Sequence, residues 1–373
     1  MTVPLHHRLE GPAGAPVVVL AGSLGASLEM WDAQAAALAP RYRVLRFDHR
    51  GHGGSPVPDG PYAMADLAAD ALALLDDLGL ETVTWCGLSL GGMVGMRVAL
   101  DAPRRIGRLV LCSTSAHLEP IAGWTERAAT VRARGVGAIA ASVLGRWLTP
   151  AAPPALADRL GAMLRATPAE GYAGCCEAIA GHDVRAELGA VRAPALAVAA
   201  TDDPATPPAE LEAIRDAIPG ARLALLERAA HLVNVERPEA FNAVLLGFLG
   251  EEAMRVRREV LGDAHVDAAA ARTTPLTAPF QDFITRFAWG DVWTRPGLDR
   301  RTRSAMTLTA LVALGHEREL ALHLRAARRN GLSVDEIREV LLHAAVYCGV
   351  PAANAAFAVA QQVFEQEEED HGT

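Results

Sequence analysis

The chain contains 373 residues and carries a formal net charge of −9 at pH 7. A chain of this length usually forms two or three domains, and its acidic balance argues against nucleic acid and acidic membrane surfaces as partners. Lysine is absent, so every basic side chain other than histidine is arginine. A Schiff-base mechanism, which needs the lysine amine, is therefore excluded.

The sequence gives no sign of a membrane anchor or an export signal. No apolar run reaches the roughly 18 residues that cross a bilayer, and residues 1–7 lack the basic and apolar stretches of a signal peptide. The five cysteines (86, 112, 175, 176 and 348) show neither metal-ligand nor redox spacing. We therefore expect reduced thiols in a cytoplasmic protein.

Two glycine-rich segments follow the first apolar runs of the chain. The run Val17–Ala21 predicts a central strand, and the segment Gly22–Gly25 after it is placed to offer a backbone N–H group to a reaction centre. The second segment, Phe47–Ser55, is typical of a structural loop. His49 and His52 within it are therefore interpreted as scaffold rather than as catalysts.

The most informative segment of the chain is Gly87-Leu88-Ser89-Leu90-Gly91. It lies between a predicted strand and a predicted helix, and this context makes a G-x-S-x-G pattern, which is weak alone, indicate a nucleophile elbow. The glycines leave room for the strained turn that exposes the serine. We predict Ser89 as the nucleophile, and the backbone N–H groups of Leu24 and Leu90 as the oxyanion hole.

Between residues 116 and about 182 the strand rhythm gives way to helical patterns. An insertion of this kind would be a helical cap over the serine, and caps select substrate. Trp124 and Arg127 are predicted to bind substrate there, because an acidic protein needs a local cation to hold an anion and arginine suits a carboxylate. A solvated helix face is the alternative for Arg127. Trp31 is predicted as an apolar wall, with core packing as its alternative.

A serine nucleophile needs a histidine base and an acid that orients the base. The strand-like run Pro194–Ala200 precedes Asp202 and Asp203, and the run Leu223–Leu226 precedes His231. Polar residues at the carboxyl ends of parallel strands lie where open α/β sheets place their sites. The chain order Ser, Asp, His fits such a triad, with His231 as the base. The loop Asp203–Pro208 has the form D-x-x-T-P-P, and this offset favours Asp203 as the acid, with Asp202 as the competing acid.

After Gly250 the composition changes to helical segments without strand runs. We place the domain boundary after residue 252 and predict an all-α domain over residues 253–373. Asp299 is predicted to cap one of its helices, and Ser333 to open another through a capping box. The predicted helices are Met254–Leu261, Phe280–Trp289, Arg300–Leu314, Glu317–Arg329, Asp335–Tyr347 and Ala352–Gln366.

Residues 1 to about 250 resemble an α/β-hydrolase and, more narrowly, the 3-oxoadipate enol-lactone hydrolases. The narrower resemblance rests on Gly22–Gly25 leading into Met30-Trp31-Asp32, and on the loop Asp203–Pro208. The second half resembles 4-carboxymuconolactone decarboxylases over its whole length. The residues that carry this second resemblance are Gly290–Leu298, Arg301–Ser304, Ala313–Leu320, His323, Asn330-Gly331 and Val346–Pro351.

The decarboxylase resemblance implies a reaction that needs neither a cofactor nor a metal. His316, Glu319 and His323 are spaced so that they share one helix face, which suits a proton donor, for which we favour His323, with an orienting carboxylate. A zinc site and a solvated polar stripe are the alternatives. Arg301 and Arg303 are predicted to bind substrate carboxylates, with surface roles as the alternative.

Together the two resemblances imply a bifunctional enzyme of protocatechuate breakdown in the 3-oxoadipate pathway, acting on small lactone carboxylates. The helical domain would decarboxylate 4-carboxymuconolactone, and the first domain would hydrolyse the enol-lactone product to 3-oxoadipate. The decarboxylase resemblance also implies a homo-oligomer. The alternatives are a hydrolase of another small ester whose helical half only oligomerises, and a non-catalytic ligand-binding protein.

Overall fold

The computed structural model describes residues 2–40, 42–293 and 297–371. The chain divides into two compact units, Met1–Leu245 (unit 1) and Leu246–Thr373 (unit 2). This division lies a few residues before the predicted boundary after residue 252, because the composition of the chain changes only after a helix that continues to Leu249.

Unit 1 is built on a mostly parallel sheet. Within the described residues its strands are β1 His7–Glu10, β2 Val17–Ala21, β3 Arg43–Phe47, β4 Val83–Leu88, β5 Ile106–Cys112, β6 Ala195–Ala200 and β7 Arg222–Leu226. Their order across the sheet is β1-β3-β2-β4-β5-β6-β7. β1 is antiparallel to β3, and the other neighbouring pairs are parallel. The central strands β2, β4, β5 and β6 are largely buried apolar runs, as parallel strands covered by helices on both faces must be.

Among the described residues, ten α-helices, the last of which continues past the end of unit 1, cover the sheet and add a cap over the carboxyl ends of its strands. They are α1 Asp32–Leu38, α2 Met64–Asp77, α3 Leu90–Asp101, α4 Ile121–Arg134, α5 Ala140–Trp147, α6 Pro154–Ala166, α7 Ala169–Ala180, α8 Pro208–Ala217, α9 Val233–Glu236 and α10 Pro238–Leu249. Proline and glycine set several limits of the cap helices: Pro154 begins α6, and Gly135 follows α4 with a φ of 74°. The four helices α4 to α7 are the predicted cap.

The regular elements of unit 2 among its described residues are all helices. Its helices are α11 Glu251–Leu261, α12 Asp263–Ala271, α13 Ala278–Ile284, a π-helix at Thr285–Val292, α14 Arg300–Leu314, α15 Glu317–Arg329, α16 Val334–Cys348 and α17 Val350–His371. Both predicted helix N-caps are confirmed. Asp299 accepts a hydrogen bond from the Thr302 N–H group, and Ser333 forms a capping box with Glu336. The single helix predicted at 280–289 is instead α13 followed by the π-helix, whose wider turns no residue pattern indicated.

Two apolar clusters hold unit 2 together. In the larger cluster, leucines of α14, α15 and α16 meet the small residues of α17; its members include Leu308, Leu324, Leu341 and Ala360. The smaller cluster joins α11 and α12 to the π-helix and α15. The predicted architecture, a mostly parallel sheet with a helical cap followed by helices alone, is therefore confirmed. No helix among the described residues is both long and apolar enough to cross a membrane.

Candidate active sites

Ser89 lies in a strained turn between β4 and α3. Its backbone has a φ of 55° and a ψ of −114°, a conformation that a residue with a side chain adopts only when its surroundings enforce it. A Cβ atom added at Gly87 would lie 2.1 Å from the Gly91 carbonyl oxygen, and one added at Gly91 would lie 2.1 Å from the Ala21 oxygen. Only glycine fits at these two positions, as the predicted elbow requires.

Asp203 and His231 form the buried acid–base pair. The Nδ1 atom of His231 lies 2.8 Å from Oδ2 of Asp203, so Nδ1–H donates to the carboxylate and Nε2 is left as the basic nitrogen. Burial opposes ionisation of Asp203, but the adjacent His231 and the hydrogen bonds from Thr206 hold its pKa below the ordinary value. Asp202, the competing acid, is exposed. The structure therefore places Asp203, and not Asp202, against His231.

The oxyanion segment Gly22–Gly25 is held by two buried histidines. The carbonyl oxygen of Gly22 accepts hydrogen bonds from the Gly91 N–H group at 2.9 Å and from Nε2–H of His49 at 3.1 Å. The Gly25 N–H group donates to Nε2 of His52 at 2.9 Å. Both rings act as neutral imidazoles, because burial lowers the pKa of each, that of His49 to about 3. This agrees with the interpretation of both histidines as scaffold.

The predicted oxyanion donors flank the serine. Leu24 lines the same cavity as Ser89 and His231. Leu90 is the first residue of α3, where backbone N–H groups have no partner within the helix and the helix dipole favours a negative charge. Ser89, the base and the oxyanion segment, which follow β4, β7 and β2, are thus brought to one cavity at the carboxyl ends of the parallel strands.

The cap supplies two arginines to this cavity. Trp124 and Arg127 line it as predicted, and the Arg127 guanidinium lies 4.5 Å from the centre of the Trp124 ring. Arg146 also lines it, and burial together with the positive charge of Arg127 lowers the pKa of Arg146. Among the described lining residues none is acidic. The cavity beside Ser89 is therefore suited to an anionic ligand.

Sequence reasoning missed Arg146, together with Trp147 and Tyr172 from the same cavity wall. The sequence did contain an indication, because Arg146 and Trp147 at the end of α5 pair an arginine with a tryptophan, as Trp124 and Arg127 do. What fixes Arg146 in the site is tertiary: its carbonyl oxygen accepts a hydrogen bond from the His231 N–H group at 3.3 Å.

The structure corrects the expectation for Trp31. This side chain is fully buried and packs against Phe241, with 5.9 Å between the ring centres. It is not among the described residues that line the Ser89 cavity. Phe241 belongs to α10, so the Trp31 ring packs against this helix in the core. Its alternative interpretation, core packing, applies.

In unit 2 the structure brings His323 and Glu319 together but leaves His316 at the helix end. His323 is half-buried on α15, and its pKa is lowered by burial and by the nearby His265, with Glu319 opposing this. His316 is the exposed N-cap residue of α15. Sequence reasoning missed His265, which precedes the predicted site residues by a long stretch of chain. The proton-donor roles stay predictions.

The two arginines predicted to bind carboxylates differ in their surroundings. Arg301 donates to the carbonyl oxygen of Gly331 and to the carboxylate of Glu336. It thereby ties α14 to the start of α16, as the alternative surface role implies, and its substrate role stays a prediction. Arg303 is half-buried in the first turn of α14, and its role stays a prediction. Among the described residues no group of three or more metal-ligating side chains is arranged to hold a metal ion.

Each unit matches a known protein family. Residues 16–238 match the α/β-hydrolase fold family, and residues 278–362 match the carboxymuconolactone decarboxylase family. Over 243 residues, 64% of this chain and 91% of the relative, the sequence is 38% identical to 3-oxoadipate enol-lactonase 2 of Acinetobacter baylyi. Over 115 residues, 31% of this chain and 86% of the relative, it is 49% identical to 4-carboxymuconolactone decarboxylase of the same organism.

A solved structure agrees with the first match. The enol-lactonase from Burkholderia xenovorans LB400 aligns with a TM-score of 0.65 and 40% identity, over 66% of this chain and 96% of that one. Sheet, elbow and cap place unit 1 in the class of α/β-hydrolases. The chain as a whole belongs to two families: it is a fusion of an α/β-hydrolase with a carboxymuconolactone decarboxylase.

The neutral histidines behind the oxyanion segment predict acid sensitivity. Below pH 6.5 an unfolded His49 takes up a proton, whereas the folded one resists protonation down to about pH 3. The free energy of unfolding should therefore fall as the pH falls from about 6.5, by about 2 kcal/mol at pH 5 from this residue alone. Urea unfolding at pH 7 and pH 5 measures the loss. His49→Gln should show a smaller loss between these pH values, and an equal loss would contradict the assignment.

Proposed function

We propose that this protein catalyses two successive reactions of the 3-oxoadipate pathway. Unit 2 decarboxylates 4-carboxymuconolactone to 3-oxoadipate enol-lactone, and unit 1 hydrolyses the enol-lactone to 3-oxoadipate. The relatives of the two units carry the names of these two activities. The observation that carries the proposal for unit 1 is the pair of cap arginines that faces Ser89 in a cavity without described acidic residues.

The hydrolytic mechanism follows from the geometry around Ser89. His231 accepts the serine proton at Nε2 as the hydroxyl attacks the lactone carbonyl, and Asp203 stabilises the imidazolium that forms. The N–H groups of Leu24 and Leu90 stabilise the tetrahedral oxyanion, and one such donor is typically worth about 10²–10³ in turnover. His231 then protonates the enol leaving group, which tautomerises to a ketone and makes ring opening strongly downhill. Water hydrolyses the acyl-enzyme in the same way.

The cap arginines determine which substrate the hydrolytic mechanism acts on. The enol-lactone carries one carboxylate, and bidentate arginine binds carboxylates in a fixed orientation. Arg127 and Arg146 raise the potential of the cavity, and the lowered pKa of Arg146 reflects burial and the cost of placing it near Arg127. A bound carboxylate relieves that repulsion. The pair therefore favours an anionic lactone over a neutral ester.

Decarboxylation in unit 2 needs no external electron acceptor. The departing carboxylate of 4-carboxymuconolactone lies on the ring carbon attached to the double bond that is conjugated with the lactone carbonyl, so the lactone accepts the electron pair. The protein must bind the carboxylates and deliver a proton, for which His323 beside Glu319 is the donor we favour. The low pKa of free His323 would rise when a dianionic substrate binds beside it.

We further propose that unit 2 assembles with copies of itself. Among the described residues, 17 large apolar side chains are exposed, and 14 of them, from Met254 to Val350, belong to unit 2. Val346 and Tyr347 on α16 are each 76% exposed. An apolar surface of this kind is typical of an interface between subunits. The cysteines are free thiols, which fits a reducing compartment, and we propose the cytoplasm.

The serine mechanism predicts a separation of the two activities. Ser89→Ala should abolish hydrolysis of the enol-lactone, because the nucleophile is lost, while decarboxylation by unit 2 continues. Enol-lactone should then accumulate from 4-carboxymuconolactone, which ultraviolet absorbance and chromatography of the products measure. The control Ser27→Ala changes a serine of the same unit outside the cavity. Formation of 3-oxoadipate by Ser89→Ala at the wild-type rate would refute the mechanism.

The cap arginines predict a selective loss of affinity. Arg146→Gln should raise the KM for the enol-lactone by about 10- to 100-fold, the usual range for a lost charged hydrogen bond, with a smaller effect on kcat. Hydrolysis of p-nitrophenyl acetate, which has no carboxylate, should change little. Arg159→Gln, an exposed cap arginine, serves as the control. Equal losses for both substrates would mean that Arg146 only supports the cap.

The exposed apolar face of α16 predicts the site of assembly. Val346→Glu should shift the protein to a smaller species in sedimentation velocity, because the charge would be buried in the interface. Leu225→Glu changes a side chain of unit 1 that is 52% exposed, and it should leave the mass unchanged. A monomeric wild-type protein, or an unchanged mass for Val346→Glu, would contradict the proposal.

A further inference from the structure

A polar cluster of unit 2 lies mostly outside the residues that sequence reasoning assigned to the decarboxylase site. It consists of Arg257 on α11, His265 on α12, Gln281 on α13, Thr285 at the start of the π-helix and His323 on α15. Arg257 and His265 precede the segment 278–362 that matches the decarboxylase family. The cluster thus joins residues from five helices around the favoured proton donor.

Arg257 is a buried cation without an anionic partner among the described residues. It is 6% exposed, and its terminal amino groups donate to Oγ1 of Thr285 at 2.8 Å and to Oε1 of Gln281 at 2.9 Å. The Nε–H group is buried and has no hydrogen-bond acceptor in the described part of the chain. Burial lowers the pKa of Arg257, and no described acidic neighbour offsets it. Neutral oxygens orient the guanidinium but leave its charge uncompensated.

An uncompensated buried charge is expensive. A charge removed from water costs several kcal/mol unless a partner of opposite sign compensates it. Arginine cannot escape this cost by losing its proton. A buried, oriented and unpaired guanidinium therefore indicates a site that an anion completes.

The cluster links Arg257 to His323. The pKa of His265 is lowered by burial and then by the positive charge of Arg257, and the pKa of His323 is lowered by burial and then by His265. These electrostatic effects act over short distances and agree with the packing of α11 against α15. Apolar residues of α11 and α15, among them Val256 and Ala326, pack together beside them. The cation and the favoured proton donor thus belong to one partly desolvated site.

We propose that Arg257 binds a carboxylate of the substrate beside His323, with Thr285 and Gln281 fixing the orientation of its guanidinium. This inference rests on the proposed decarboxylase function of unit 2. The ligand class is a small unsaturated lactone that carries two carboxylates. Arg257 is a substrate-binding residue in this assignment, and His265 is a positioning residue between it and His323.

The chemistry decides which carboxylate Arg257 holds. In the reaction, the bond between the ring carbon and the departing carboxylate breaks, carbon dioxide leaves, and the electron pair moves through the ring double bond onto the lactone oxygen. One proton then adds to the carbon next to the lactone carbonyl. A cation on the departing carboxylate would stabilise the substrate more than the transition state, because that charge moves into the ring. Arg257 therefore holds the carboxymethyl group, which keeps its charge throughout.

Arg257→Met tests this assignment with two ligands. The KM for 4-carboxymuconolactone should rise by at least about 30-fold, as expected for lost charged hydrogen bonds, while kcat changes by much less. Muconolactone keeps the carboxymethyl group but lacks the departing carboxylate, so it should inhibit wild type competitively, and its inhibition constant should rise by a similar factor. Arg257→Lys should recover part of both losses. Arg258→Met, which removes the neighbouring arginine that pairs with Asp263 and Asp267, should change neither.

The melting temperature of the variant distinguishes a substrate-binding role of Arg257 from a structural one. Because Arg257 has no described anionic partner, Arg257→Met should melt at the same temperature as wild type or higher. A lower melting temperature, with kcat and kcat/KM reduced by the same factor, would overturn the inference. An unchanged inhibition constant for muconolactone with a reduced kcat/KM would assign Arg257 to the departing carboxylate and overturn the choice made here. A wild-type protein that does not turn over 4-carboxymuconolactone would instead refute the proposed function itself.

Discussion

The close approach of three backbone segments around Ser89 constrains the rest of unit 1. The end of β2, the end of β4 and the start of α3 lie so near one another that a Cβ atom at Gly87 or Gly91 would overlap a carbonyl oxygen. The hydrogen bond from Gly91 to Gly22 then fixes the oxyanion segment to the elbow. The nucleophile and the groups that stabilise its transition state are thus positioned by main-chain geometry, which side-chain motion cannot loosen. Cap and base are arranged around that centre.

Arginine side chains that are partly or fully buried occur in both units. The protein is acidic overall and has no lysine, yet each proposed anion site contains guanidinium groups that are partly removed from water. Arg146 lies near Arg127 in unit 1, and Arg257 lies in unit 2 without a described acidic partner. Since arginine does not deprotonate in proteins, the cost of burial persists until an anion binds. At both proposed sites, part of the binding energy would therefore come from relieving a cost already present in the free protein.

The fusion joins two reactions that are chemically adjacent. The decarboxylation of unit 2 yields an enol-lactone, an activated ester, and the serine mechanism of unit 1 opens esters of this kind. One chain supplies both activities in equal amounts, so the intermediate does not depend on separate expression of a second enzyme. In our proposals two different anion sites serve the two steps: cap arginines beside Ser89, and a buried arginine beside His323.

The sequence by itself determined the features that depend on neighbours along the chain. The elbow, the order of Ser89, Asp203 and His231, and the caps at Asp299 and Ser333 were predicted, because turn geometry and helix capping are short-range. Only the tertiary structure decided which distant side chains meet. It placed Arg146 beside His231, brought His265 to His323, turned Trp31 into the core and paired Arg301 with Glu336. Such contacts depend on how helices pack, and packing joins residues that share no local pattern in the sequence.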